Sequence, residues 1–157
     1  MLEFRPGTVG VDINEYNVIH CIEKGMTAQV MKPNVLPFSD RAFDSVLLDN
    51  VLEHIDDPRP LLDEIHRVLN EHGTLVIGVP GIRGWYRDPD HKVLYDESGL
   101  IECMKGAGFD CVELFYAPLW RSHWLSKTIT QYCIYGQFDP LITKNPKTEV
   151  NYNPQLT

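Results

Sequence analysis

Residues 43–80 constrain the fold more than any other part of the chain, because their apolar pattern changes twice within a short distance. Residues 45–48 are a short apolar run that ends at Asp49 and Asn50, which is typical of a buried strand whose carboxyl end meets solvent. Residues 74–79 form a second such run. Between the two runs, apolar residues recur at the spacing of a helix: Leu61, Leu62, Ile65, Val68 and Leu69.

A strand, a crossover helix and a second strand form a βαβ unit, whose strands are parallel and whose crossover is right-handed. In open parallel sheets, ligands bind beyond the carboxyl ends of the strands. We therefore expect a functional site next to residues 49–54 and immediately after Pro80.

The rest of the chain continues this alternation of strands and helices. The patterns predict strands at residues 8–12, 28–31, 109–117 and 129–135, helices at residues 15–24, 97–105 and 120–128, and an irregular loop at residues 81–96. Ser98 is the candidate N-cap of the second of these helices. The last strands predict an antiparallel edge at the C-terminus. The fold class is therefore α/β, with a doubly wound, mostly parallel sheet.

Length and composition favour one domain followed by a short tail. With 157 residues, 43% of them hydrophobic, the chain can bury one core, which we assign to residues 1–137. Residues 138–157 are rich in proline, asparagine and glutamine, a composition that predicts a poorly ordered tail. The sequence has neither a signal-peptide pattern nor a membrane-spanning run, so we expect a cytoplasmic protein without membrane contact.

The net charge disfavours nucleic acid as a partner, and the cysteine spacing disfavours a disulfide or zinc framework. A net charge of −8 disfavours nucleic acid, whose phosphates require a basic surface. The four cysteines include no CxxC pair, which favours reduced, buried thiols over the alternative of a disulfide or zinc framework. We predict no metal site. Four of the six histidines have no partner at ligand spacing: His20, His66, His72 and His123.

An ordered series of short motifs points to a known family. Residues 9–12 (VGVD), 36–38 (LPF), 50–54 (NVLEH) and 73–75 (GTL) resemble the class I S-adenosylmethionine-dependent methyltransferases, in the branch that acts on small molecules. The resemblance covers about residues 8–117. It implies a Rossmann-like fold, S-adenosylmethionine as the cofactor and a small-molecule acceptor.

The resemblance also implies which residues would bind the cofactor. Asp12 would accept hydrogen bonds from both ribose hydroxyls, because a carboxylate is acceptor-only and can take two donors. The loop at residues 34–36 would hold the adenine, and residues 49–50 would lie beside the methionine portion. The complete set of implied cofactor-binding residues is Asp12, Ile13, Asn34, Val35, Leu36, Asp49 and Asn50.

Two histidines are the implied catalytic residues. His54 matches the histidine of the helix-entry turn, close to the reacting centre. His91 is the candidate general base or acceptor-orienting group, because histidine titrates near neutrality. Plainer interpretations stay open: Asp12 as a cap of the following turn, Leu36 as a core residue, and His54 as a histidine at a helix start.

In the family, a first strand and a glycine-rich loop would precede residue 8, where this sequence has seven residues and one glycine. We therefore expect an N-terminally truncated domain. Three functional hypotheses follow: a methyltransferase, a non-catalytic relative that serves as a binding or assembly module, and a domain that a partner chain completes. A homodimer would be one way to cover an exposed sheet edge.

Overall fold

The computed structural model describes residues 7–117 and 133–141, and its elements follow the expected alternation. In chain order they are β1 (Gly10–Asp12), α1 (Glu15–Glu23), β2 (Ala28–Val30), β3 (Phe43–Asp49), a 3₁₀ helix (Leu52–His54), α2 (Arg59–Val68), β4 (Leu69–Pro80), α3 (Ile82–Trp85), α4 (Glu97–Gly106), β5 (Phe109–Ala117) and β6 (Cys133–Pro140). The helix predicted at residues 120–128 and most of the predicted tail lie outside the described residues.

The central βαβ unit is confirmed. β3 pairs with β4 in parallel, with Val46 opposite Leu75 and Leu48 opposite Ile77. The helix between them, α2, buries four of the five predicted apolar residues, namely Leu61, Leu62, Ile65 and Val68, whereas the fifth, Leu69, is the first residue of β4. Asp57 accepts a hydrogen bond from the backbone N–H of Arg59 (3.1 Å), so it helps to cap this helix.

The larger sheet has the strand order β3-β4-β6-β5, in which β6 is antiparallel to both of its neighbours. The predicted antiparallel C-terminal edge is therefore confirmed. The last strand occupies Cys133–Pro140, whereas the sequence analysis expects it at residues 129–135. The predicted domain boundary at residue 137 consequently falls inside β6, where Phe138 is fully buried.

A separate two-stranded parallel sheet joins β1 to β2, next to α1. The loop between β2 and β3 is held by α2. Glu64 Oε2 accepts from the backbone N–H of Leu36 (2.9 Å), and Arg67 donates to the carbonyl oxygens of Leu36 (3.0 Å) and Phe38 (2.8 Å). The side chain of Leu36 packs in the core, as its plainer interpretation predicts.

Two local details differ from expectation. The loop predicted to be irregular contains the one-turn helix α3. The N-cap of α4 is Asp96 rather than Ser98: Asp96 Oδ1 accepts from the backbone N–H of Gly99 (2.7 Å), and the Ser98 hydroxyl donates to the same oxygen (3.1 Å). Within the described ranges, no helix has the length and apolar character needed to cross a membrane.

Candidate functional site

The carboxyl end of β1 presents Asp12 in a fixed orientation. Its Oδ1 accepts from the backbone N–H of Asn14 (2.8 Å), and its Oδ2 accepts from Asn17 Nδ2 (2.8 Å) on α1. A carboxylate has about four acceptor positions, so each oxygen keeps one for a further donor. Ile13, the next residue, is an apolar side chain that is 63% exposed.

The residues of the loop predicted to hold adenine, 34–36, differ in burial. Leu36 is only 7% exposed, and α2 occupies both of its backbone polar groups. Val35 is exposed and Asn34 is half-buried, with a φ of 56° in the left-handed region that asparagine tolerates. Asn34 and Val35 are therefore the residues of this predicted set that solvent reaches.

The carboxyl end of β3 presents Asp49 and Asn50. The backbone N–H of Asn50 donates to the carbonyl of Gly78 on β4 (2.9 Å), and its side-chain amide donates to Asp49 Oδ1 (3.0 Å). Tyr135 on β6 lies beside them. Burial raises the pKa of Tyr135 to about 12, and the neighbouring Asp49 carboxylate adds to the shift. Nothing in the sequence analysis singled out Gly78 or Tyr135.

Beyond β3, the 3₁₀ helix turns Glu53 into the interior. Its side chain is 0% exposed, and neither carboxylate oxygen has a hydrogen-bond partner within the described residues. Desolvation by this burial raises the pKa of Glu53 above its ordinary value. A buried carboxylate without hydrogen bonds is costly, so this group needs compensation from its surroundings.

The two predicted catalytic histidines meet at this carboxylate. His54 Nε2 and His91 Nε2 each lie 3.9 Å from Glu53 Oε1, and the ring centroids are 4.9 Å apart. The other nitrogen of each ring faces a backbone carbonyl: His91 Nδ1 lies 2.9 Å from the oxygen of Trp85, and His54 Nδ1 lies 3.3 Å from that of Asp90. We call Glu53, His54 and His91 the Glu53 cluster.

Backbone contacts fix the loop that carries His91. The carbonyl of Glu53 accepts from the backbone N–H groups of Lys92 (2.7 Å) and Val93 (3.1 Å). The Lys92 ammonium forms an ion pair with Asp56 (2.9 Å). The two residues that follow His91 are therefore attached to the 3₁₀ helix and to the turn after it, which sets the position of the His91 ring.

A family model described as a methyltransferase domain matches residues 3–77. An uncharacterized protein of Methanocaldococcus jannaschii is 34% identical over 71 residues, which are 45% of this chain and 35% of that protein. A ubiquinone/menaquinone biosynthesis C-methyltransferase of Desulfotalea psychrophila is 38% identical over 53 residues, which are 34% of this chain and 22% of that protein. The matches span about a third or less of these relatives' own length.

Solved structures share the fold. A chain from the complex between the Haloferax volcanii Trm112 methyltransferase activator and the putative methyltransferase has a TM-score of 0.67 at 17% identity, covering 84% of this chain and 71% of that chain. A SAM-dependent methyltransferase from Archaeoglobus fulgidus has a TM-score of 0.64 at 19% identity, covering 83% and 75%. The fold is the Rossmann-like methyltransferase fold. Residues 3–77, just under half of the chain, match the methyltransferase-domain model, so the chain is similar in sequence and in fold to S-adenosylmethionine-dependent methyltransferases.

Proposed function

We propose that the chain transfers the methyl group of S-adenosylmethionine to a small-molecule acceptor in the cytoplasm. The observation that carries this proposal is the arrangement at the end of β3. There, Asp49 and Asn50 are followed within one turn by Glu53 and His54, and His91 packs against the same cluster. Groups suited to the cofactor and groups suited to an acceptor thus occupy one short segment.

The residues present fit the cofactor at two points. Asp12 keeps free acceptor positions on both oxygens, which suits the two hydroxyls of a ribose. Asp49 is an exposed carboxylate at a strand end, which suits the ammonium group of the methionine portion. The bound cofactor supplies an activated methyl group on a sulfonium sulfur.

The contribution of the chain is then mainly positional. Residues at the strand ends hold the cofactor, while His54 and His91 orient the acceptor or take a proton from it. The His91 ring is fixed by the hydrogen bond between its Nδ1 and the carbonyl of Trp85 and by packing against the ring of His54. A fixed ring loses little entropy when an acceptor binds, which favours an orienting role.

Calorimetric titration with S-adenosylmethionine and S-adenosylhomocysteine tests the cofactor site. Asp12→Ala removes both acceptor oxygens, so we expect affinity to fall about tenfold to a hundredfold, as for lost hydrogen bonds to a charged group. Asp110→Ala, at an exposed position on β5, is the matched control and is expected to bind as the wild type does. No saturable heat from the folded, monodisperse wild type at millimolar ligand would contradict the proposal.

The second candidate function is an assembly module that an additional strand completes. Within the described residues, β3 pairs with β4 on one side only, and β1 and β2 form a sheet of their own. An unpaired strand edge is a template for pairing with another strand, whether from a second copy or from a different polypeptide. A folded chain that binds no cofactor and associates through β3 would favour this function over methyl transfer.

A further inference from the structure

We propose that Glu53, His54 and His91 together bind a divalent transition-metal ion, of the class that imidazole and carboxylate ligate jointly, such as Zn²⁺ or Fe²⁺. This site stands independently of methyl transfer. It departs from the sequence analysis, which predicts no metal site, because the ligands come from separate segments that only the fold brings together.

The carboxylate of Glu53 is fully buried without a hydrogen-bond donor for either of its oxygens among the described residues. Buried charges in proteins are paired or coordinate metals, because an isolated one is strongly disfavoured. The nearby Asp49 carboxylate adds further negative charge. The surroundings of Glu53 therefore favour a cation.

The hydrogen bonds of the His54 and His91 rings leave the Nε2 lone pair of each ring directed at Glu53. A carbonyl oxygen only accepts hydrogen bonds, so the contacts with Trp85 and Asp90 place a hydrogen on Nδ1 of each ring. In a neutral imidazole the Nε2 atom then carries a lone pair, and both Nε2 atoms face Glu53 Oε1. Histidine ligands of metals are held in this way, with the other ring N–H donating to a carbonyl or carboxylate.

With Glu53 ionised and both rings neutral, three acceptor atoms converge with no donor among them. A proton on one Nε2 would not resolve this arrangement, because 3.9 Å is too long for a hydrogen bond and the second Nε2 would still face the carboxylate. A divalent ion satisfies all three atoms at once. An Nε2 atom bound to an ion takes no proton, so neither histidine could act as a base while the ion is bound.

The geometry requires only a small contraction. The three ligand atoms lie within 4.8 Å of one another. Ligand atoms around tetrahedral zinc are about 3.3 Å apart, since each lies about 2.0–2.1 Å from the ion. The rings would therefore move inward by roughly half an ångström. The side chain of His54 is 36% exposed, whereas that of His91 is 8% exposed, so entry and the open coordination positions lie on the His54 side.

Titration of the metal-free full chain with Co²⁺, followed by calorimetry and visible absorption, tests this proposal. We expect one ion per chain and a rise in melting temperature on binding. His54→Ala, His91→Ala and Glu53→Gln should each weaken binding more than tenfold. His20→Ala and His72→Ala, which remove exposed histidines elsewhere, are the matched controls and should leave affinity unchanged.

Three outcomes would overturn the proposal. The first is a folded wild type that binds no Co²⁺ with defined stoichiometry. The second is binding that the three cluster variants leave unchanged. The third is a thiolate charge-transfer band, which would place the ion on a cysteine such as Cys133, whose thiol lies near Asp49 and Glu53. Glu53→Gln keeps the volume of the side chain and is decisive if a histidine variant fails to fold.

Discussion

Gly78 determines how closely Asp49 and Tyr135 can approach β4. A Cβ atom at this position would overlap with the Asp49 carboxylate and with the Tyr135 ring. The absence of a side chain at Gly78 therefore lets the carboxylate and the phenol lie side by side over the sheet. This glycine is required for space, since its φ is not in the left-handed region.

We expect Gly78→Ala to lower the free energy of unfolding by about 1–3 kcal/mol, because the added methyl would force the Asp49 carboxylate and the half-buried Tyr135 ring to move. The measurement is urea denaturation of the purified chain. Gly106→Ala is the matched control, since a Cβ there meets nothing within 4 Å. Its effect should stay within about 0.5 kcal/mol, and an equal loss from both substitutions would contradict the packing argument.

At the residue scale, sequence reasoning identified His54 and His91 but not the carboxylate between them. Glu53 lies inside the motif that was recognised, yet a glutamate at a helix entry is usually exposed, and nothing local predicts full burial. Its burial depends on the loop that closes over it through Lys92 and Val93. Such a contact between distant segments has no periodic signal in the sequence.

At the scale of elements, α2 both crosses the sheet and holds the loop that precedes β3. Glu64 and Arg67, one turn apart, share two hydrogen bonds (2.7 Å each) and also bind the backbone of Leu36. Arg67 additionally forms an ion pair with Asp40 (2.8 Å). These contacts of Glu64 and Arg67 hold residues 36–40 against the helix, and the preceding residues Asn34 and Val35 depend on them for their position.

The hydrogen-bonded pair Glu64–Arg67 should contribute to the free energy of unfolding in a pH-dependent way. Hydrogen bonding from Arg67 lowers the pKa of Glu64 from 4.5 to about 2 in the folded chain. The unfolded chain therefore binds more protons between these values, so the contribution is present above about pH 4.5 and is lost as pH falls towards 2. We expect Glu64→Gln to be less stable than wild type by about 1 kcal/mol at pH 6 and equally stable near pH 2.

Denaturation profiles between pH 2 and 6 measure this difference. Glu71→Gln is the matched control, because Glu71 forms an exposed ion pair with Arg41 (2.7 Å), and such pairs contribute little. A constant gap between wild type and Glu64→Gln across this range would contradict the assigned role of the carboxylate.

The boundaries of two strands could not be predicted from local pattern. β4 begins at Leu69, which pairs with Phe43, and its regular pairing resumes only at Thr74, which pairs with Ser45. Residues 70–73 lie between these two pairs as a bulge. Polar residues in a bulge resemble the end of a strand. In β6, Gly136 interrupts the apolar alternation, and the ring of Phe138 lies where a side chain would otherwise be. The predicted strand therefore stopped too early.

At the scale of the whole molecule, the predicted cofactor-binding residues lie on two separate sheets. Asp12 ends a strand of the two-stranded sheet, whereas Asp49 and Asn50 end the outer strand of the four-stranded sheet. The sequence analysis predicted the α/β class, the parallel unit and the antiparallel edge, because these follow from periodicity and element order. Pairing between distant strands follows from tertiary contacts, so periodicity alone does not place β1 relative to β3.

The central claim is that these strand ends form one cofactor site, and amide hydrogen exchange with and without S-adenosylhomocysteine tests it most directly. We predict slower exchange at residues 12–17 and 49–54 when the ligand is bound, with β5 unchanged as the internal control. Protection of both segments, lost in Asp12→Ala, would support a single site spanning both sheets. Unchanged exchange at both segments under millimolar ligand would contradict the account.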